Sequence, residues 1–101
     1  MRTIVFFDLP TLTGTDRREY RKFRTNLIKS GFIMLQQSVY CKLLLNKTAL
    51  NSMINYLESI KPKRGLVQII TITERQFSKS KYLIGKSTSD IVDSDERLII
   101  L

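Results

Sequence analysis

The chain has 101 residues, a net charge of +8 from 17 Lys and Arg against 9 Asp and Glu, and 43% hydrophobic residues including four Tyr and five Phe. That length leaves no room for a second domain, and that apolar content argues against disorder. With no histidine and one cysteine, Cys41, it excludes His-dependent nucleophile systems, histidine or cysteine-cluster zinc sites and an internal disulfide, so any chemistry must use carboxylates, a metal, hydroxyls or Lys and Arg.

The opening Met1–Asp8 holds four consecutive apolar residues before a charge, far short of a signal segment or a membrane span, and with the lone cysteine this predicts a cytoplasmic protein. Ile4 to Phe7 is β-branched or aromatic on both alternating sides, as in a central strand covered on both faces. Asp8-Leu9-Pro10 ends it. Thr11 to Thr15 reads as a polar loop, and Asp16 with Glu19 three residues on resembles a capping box. Tyr20, Phe23, Leu27 and Ile28 then form one helical stripe, closed by Ser30-Gly31. Two apolar stretches, Phe32–Leu35 and Val39–Cys41, flank Gln36-Gln37-Ser38 and predict a tight hairpin whose turn lacks Gly and Pro. Asn46 caps a second helix with Leu50, Met53, Ile54, Leu57 and Ile60 on one side, stopped by Pro62 and followed by Gly65. Leu66 to Thr73 follows as a strand apolar on both faces.

The order strand, helix, strand, strand, helix, strand is the α+β, ferredoxin-like βαββαβ unit, in which two helices cover one face of a four-stranded sheet. The other face must be apolar whichever way the strands turn, since it contains Ile4/Phe6 or Val5/Phe7, and Leu66/Ile70/Ile72 or Val67/Ile69. An uncovered apolar face of that size predicts a two-fold homodimer packed through the sheet faces. Residues 1–101 read as one domain, with a core over 1–73 and a tail over 74–101. The tail is acidic at Asp90, Asp93, Asp95 and Glu96 and ends in Leu98-Ile99-Ile100-Leu101, expected to pair as an additional C-terminal strand, with the partner's sheet as one place for it. The residues before it are therefore more basic than the whole, which points to nucleic acid or an anionic membrane as partner.

Asp8 is the first candidate for chemistry, a carboxylate at the C-terminal end of a buried strand, where ligands of open sheets sit. Two readings are open. In one it accepts backbone hydrogen bonds at the turn; in the other a dimer axis brings two Asp8 side chains together around Mg²⁺, which one or two carboxylates commonly hold with waters and phosphates. The first helix carries Arg17, Arg18, Arg21, Lys22 and Arg24, opposed only by Asp16 and Glu19. Arg17, Arg21 and Arg24 share a side and Arg18 and Lys22 flank it, so these cations repel one another unless phosphates lie between them. Lys63 and Arg64, with Lys61, Lys79 and Lys81, extend the basic track. No phosphate-binding glycine loop is present, and Gly85-Lys86-Ser87 lacks the upstream glycine of one. Cys41 reads as a small buried residue and Ser38 as a hydroxyl serving the hairpin turn.

Taken together, Ile4-Val5-Phe6-Phe7-Asp8-Leu9-Pro10, the Arg-Arg-x-x-x-Lys-Phe-Arg register from Arg17 to Arg24, Gly31-Phe32 and the Gln37-Ser38-Val39-Tyr40 hairpin resemble the CRISPR-associated protein two family, the small partner of the spacer-acquisition integrase. The tail Asp93–Ile100 is similar to members from type II, single-effector systems. The resemblance covers nearly the whole chain. It implies a ferredoxin-like homodimer that binds double-stranded DNA and bridges two dimers of the integrase, CRISPR-associated protein one. It also implies that Asp8 is the position associated in some members with Mg²⁺-dependent endonuclease hydrolysis of RNA or DNA, and that Arg17, Arg18 and Arg21 are the basic positions of helix one. A ribonuclease or RNA-binding module unrelated to integration is the rival. An RNA-recognition motif has the same element order, but Val39-Tyr40-Cys41-Lys42-Leu43 lacks the aromatics of its third strand.

Overall fold

The computed structural model describes residues 1–85. Seven elements run in the order β1 (Arg2–Asp8), α1 (Gly14–Lys29), β2 (Ile33–Gln36), β3 (Val39–Leu43), α2 (Lys47–Ile60), β4 (Leu66–Ile72) and α3 (Glu74–Ser78). The sheet order is β2-β3-β1-β4, with every neighbouring pair antiparallel. This is the expected ferredoxin-like α+β fold. β1 is an interior strand, and its alternation assigns the faces: Thr3, Val5 and Phe7 are buried toward the helices, while Arg2, Ile4, Phe6 and Asp8 point the other way.

Phe7 sits at the centre of the core. Its ring meets Phe23 at 5.2 Å and 87°, Tyr20 at 5.8 Å and 63°, and stacks on Tyr40 at 5.7 Å, the edge and stacked geometries that aromatic quadrupoles favour. Val5, Leu27, Phe32, Leu44, Met53 and Leu57 complete the buried set. Of the stripe read on α1, Phe23 and Leu27 are buried and Tyr20 is half-buried, but Ile28 is 47% exposed, because it lies one position beyond the edge of the inward face.

Helix α1 begins earlier than its sequence suggests. Thr13, with extended backbone, is the N-cap: its hydroxyl accepts the Asp16 N–H at 3.0 Å, and Asp16 reaches back to the Thr13 N–H at 3.3 Å. The capping box is therefore Thr13 with Asp16, not Asp16 with Glu19, and Gly14 and Thr15 belong to the first turn. At the other end Gly31 takes φ +97°, the left-handed conformation that closes a helix. The β2–β3 hairpin does without glycine because Ser38 itself adopts φ +65°, held by its carbonyl accepting the Phe7 N–H at 3.0 Å and its hydroxyl lying 3.3 Å from that of Tyr20. Asn46 caps α2 as expected, accepting the Ala49 N–H at 2.8 Å.

Helix α3 lies in the stretch read only as tail. Thr73 and Gln76 form a second capping box, a Thr-x-x-Gln spacing legible in the sequence. It docks on the Arg2 end of β1. The Arg2 guanidinium makes two hydrogen bonds to Glu74, at 2.6 and 2.9 Å, and lies 4.4 Å above the Phe77 ring. These bonds hold the Glu74 carboxyl below its ordinary value and raise the Arg2 guanidinium above its own. The same guanidinium lies 3.5 Å from Cys41 Sγ on the face away from α1 and α2, and Cys41 is fully buried, as its residue type suggested. The additional C-terminal strand expected near Leu98–Leu101 lies outside the described residues.

Candidate nucleic-acid interface and strand-end carboxylate

The cross-strand register settles which apolar residues lack cover from α1 and α2. Ile4 lies opposite Cys41 on one side and Ile70 on the other, Phe6 opposite Val39 and Gln68, and Asp8 opposite Leu66. Of the alternatives the sequence allowed, Ile4/Phe6 with Leu66/Ile70/Ile72 form the open face, and Val5/Phe7 with Val67/Ile69 face the helices. On the open side Leu66 is 61% exposed and Ile70 47%. Asp8 stands exposed at one end of this face, and among the described residues no side-chain hydrogen bond or ion pair engages it.

That geometry limits what one chain can hold. Among the described residues no three His, Cys, Asp or Glu side chains cluster at a metal-binding distance. The single carboxylate fits a hydrated ion such as Mg²⁺, which keeps several of its waters, and does not fit an ion that needs a full cage of protein ligands.

The five cations of α1 separate into two kinds. Arg17 folds back, its Nη1 donating to the carbonyls of Thr11 at 3.1 Å and Leu12 at 3.3 Å, so it braces the loop that follows Asp8. Arg24 donates from Nε to the buried Tyr40 hydroxyl at 2.8 Å. Arg18, Arg21 and Lys22 are exposed and have no such partner among the described residues. Of the three that share a side, Arg17 and Arg24 are thus tied to neutral protein acceptors, which leaves their charges in place and fixes where their remaining N–H donors point. Asp8 and α1 also lie on opposite faces of the sheet, so within one chain the carboxylate and the cationic helix do not converge.

Past α2, Lys61 pairs with Glu58 at 2.9 Å, with both side chains about two-thirds exposed, a pairing of little energetic weight. Lys63 is exposed. Arg64, expected on the basic track, is exposed and reaches Asp16 at 3.2 Å. Asp16 is the residue sequence reasoning under-read: it is 6% exposed, with one carboxylate oxygen on the Thr13 N–H and the other on Arg64. The Thr13-x-x-Asp16 spacing could have flagged its capping role; its partner 48 residues away left no local signal. Lys79 and Lys81 are exposed beyond α3.

The chain is a ferredoxin-like α+β domain with a carboxylate at the end of its first strand, a cationic first helix and a sheet face that α1 and α2 leave open. The chain matches the family model of CRISPR associated protein Cas2 over residues 1–80 and belongs to that family. It is 50% identical to a protein of Treponema denticola over the full length of both, 48% identical to one of Streptococcus mutans across all of this chain and 93% of that one, and 45% identical to one of Ligilactobacillus salivarius over the full length of both. All three bear the name CRISPR-associated endoribonuclease Cas2. No helix among the described residues is long and apolar enough to cross a membrane.

Proposed function

We propose that the protein acts as a homodimer in CRISPR spacer acquisition, binding double-stranded DNA through α1 and bridging integrase dimers, with an Mg²⁺-dependent phosphodiesterase capacity centred on Asp8. The observation that carries this reading is the open sheet face with Asp8 at its end. Ile4, Phe6, Leu66, Ile70 and Ile72 supply the apolar surface of a two-fold interface, and a second copy placed on it adds a second Asp8 to the same surface. The two carboxylates would hold Mg²⁺, which supplies polarisation of a phosphodiester and an activated water when bound. The chain's own part is to present the carboxylate at a rigid strand end. The name of the relatives supports RNA as a substrate class.

Pairing through the sheet leaves α1 of each copy on the outside, where Arg18, Arg21 and Lys22 meet phosphates, with Arg17, Arg24 and Lys63 beside them. Such contacts read backbone shape and not sequence. For a dimer neutralising about eight phosphates, log K for a short duplex falls against log salt with a slope near −7; a slope near zero in a filter or fluorescence titration removes the nucleic-acid reading. In parallel, Asp8→Asn is expected to lower Mg²⁺-dependent cleavage of labelled RNA by about 100-fold or more, the scale of losing a positioned catalytic group. Equal rates for wild type and Asp8→Asn would place any hydrolysis elsewhere.

A further inference from the structure

We propose that Arg64 and Asp16 form a clamp that positions the Asp8 strand end, so that Arg64 serves the site by holding backbone and not by touching phosphate. This rests on the reading of Asp8 as the carboxylate of the hydrolytic site. Three observations converge on the point where β1 ends. Leu9, the residue after Asp8, is buried. Gly65 sits at φ +102° with its backbone against that of Asp8 and Leu9: a Cβ there would lie 2.8 Å from the Asp8 carbonyl oxygen and 3.1 Å from the Leu9 Cα. One residue earlier, Arg64 crosses to the buried Asp16 carboxylate, which also holds the Thr13 N–H.

The ion pair thus ties the segment entering β4 to the first turn of α1, and Leu9 and Pro10 pass along the wall of the cavity of about 180 Å³ that the pair borders. The pairing is asymmetric. Asp16 is buried, so its charge requires a partner, while the Arg64 side chain is 67% exposed and keeps its other donors in water. That distinguishes it from the Lys61–Glu58 pair, where both side chains are about two-thirds exposed and neither charge depends on the other. Arg17 braces the Thr11 and Leu12 carbonyls and Asp16 the Thr13 N–H, so the loop after Asp8 is held at Asp8 and Leu9 by the Gly65 backbone and at Thr11 to Thr13 by side chains of α1. A carboxylate that must meet its mate across a dimer axis depends on that rigidity, since displacement by about 1 Å can cost 100-fold in rate.

The test compares full-length wild type, Arg64→Ala, Arg64→Lys and Asp8→Asn with Mg²⁺. Arg64→Ala is expected to lower the maximal single-turnover cleavage rate by roughly 10- to 100-fold, with duplex affinity and its salt slope unchanged. Arg64→Lys, which keeps a charge on Asp16, is expected to recover most of the rate. Deuterium exchange in peptides spanning residues 8–16 should accelerate about tenfold or more in Arg64→Ala and not in Arg64→Lys, as expected when a local restraint is lost. Unchanged exchange and unchanged rate in Arg64→Ala overturn the clamp, and so does a loss confined to duplex affinity with a shallower salt slope, the mark of a phosphate contact. If Asp8→Asn cleaves like wild type, the reading of Asp8 fails, and the exchange measurement still decides the clamp by itself.

Discussion

The wild type is expected to sediment as a dimer and Ile70→Glu as a folded monomer. Ile70 is about half exposed on the open sheet face, opposite Ile4, so the substitution removes little from the core of one chain and its thermal midpoint should stay within a few degrees of wild type. In a two-fold interface the change is made twice. Each copy loses about half of the roughly 1.5–3 kcal/mol of a fully buried Ile, since Ile70 is already half-buried in one chain, and gains a carboxylate that must either be desolvated or keep the faces apart, at about 1–3 kcal/mol or more. The sum corresponds to a dissociation constant raised by about a thousandfold or more. Sedimentation at micromolar concentration reads the outcome. An Ile70→Glu protein that remains dimeric would show that the copies meet elsewhere, and the convergence of two Asp8 side chains would fall with it.

Phe7→Ala is expected to remove about 3–5 kcal/mol of stability, a large share of the roughly 5–15 kcal/mol available to a domain of this size. Phe7 is 6% exposed and joins β1, α1 and β3 through its contacts with Tyr20, Phe23 and Tyr40. No neighbour can move in to fill its place, because Tyr40 and Phe23 are themselves fixed, Tyr40 by the Arg24 guanidinium and Phe23 on the inner side of α1. Denaturant unfolding should show a lowered midpoint with an unchanged slope. A loss below about 1 kcal/mol would mean that the aromatic cluster is not the centre of the core. Ile70→Glu and Phe7→Ala probe the two faces of one sheet: the first is expected to leave the fold and remove the proposed dimer, the second to weaken the fold itself.

Much of this was legible residue by residue. The alternation from Ile4 to Phe7, the stripes on the two helices and the Asn46 cap all act over a few residues, and local periodicity with local hydrogen bonding dictates them wherever they occur. The element order then left the ferredoxin-like arrangement as the economical way to bury those faces. Less legible were the places where a partner lies far along the chain. Asp16 reads as a helix-opening acid, and only the approach of residues 62–65 makes it the buried half of an ion pair. Arg17 and Arg24 read as free cations until loop carbonyls and the Tyr40 hydroxyl are brought beside them. Helix α3 was missed for a different reason: its five residues are too few for periodicity, although the Thr73-x-x-Gln76 spacing was there to be read.

The amino-acid order by itself determined the family, the order of the first six elements, the strand-end position of Asp8 and the cationic character of α1, because each depends on near neighbours and on composition. Only the tertiary structure decided which side of β1 is open, which arginines are already spoken for, and that Asp8 and α1 occupy opposite faces of the sheet. Those outcomes depend on strand register and on side chains dozens of residues apart. A shift of one residue in register exchanges the two faces of a strand, and the burial of whole faces against the helices, summed over the sheet, fixes that choice.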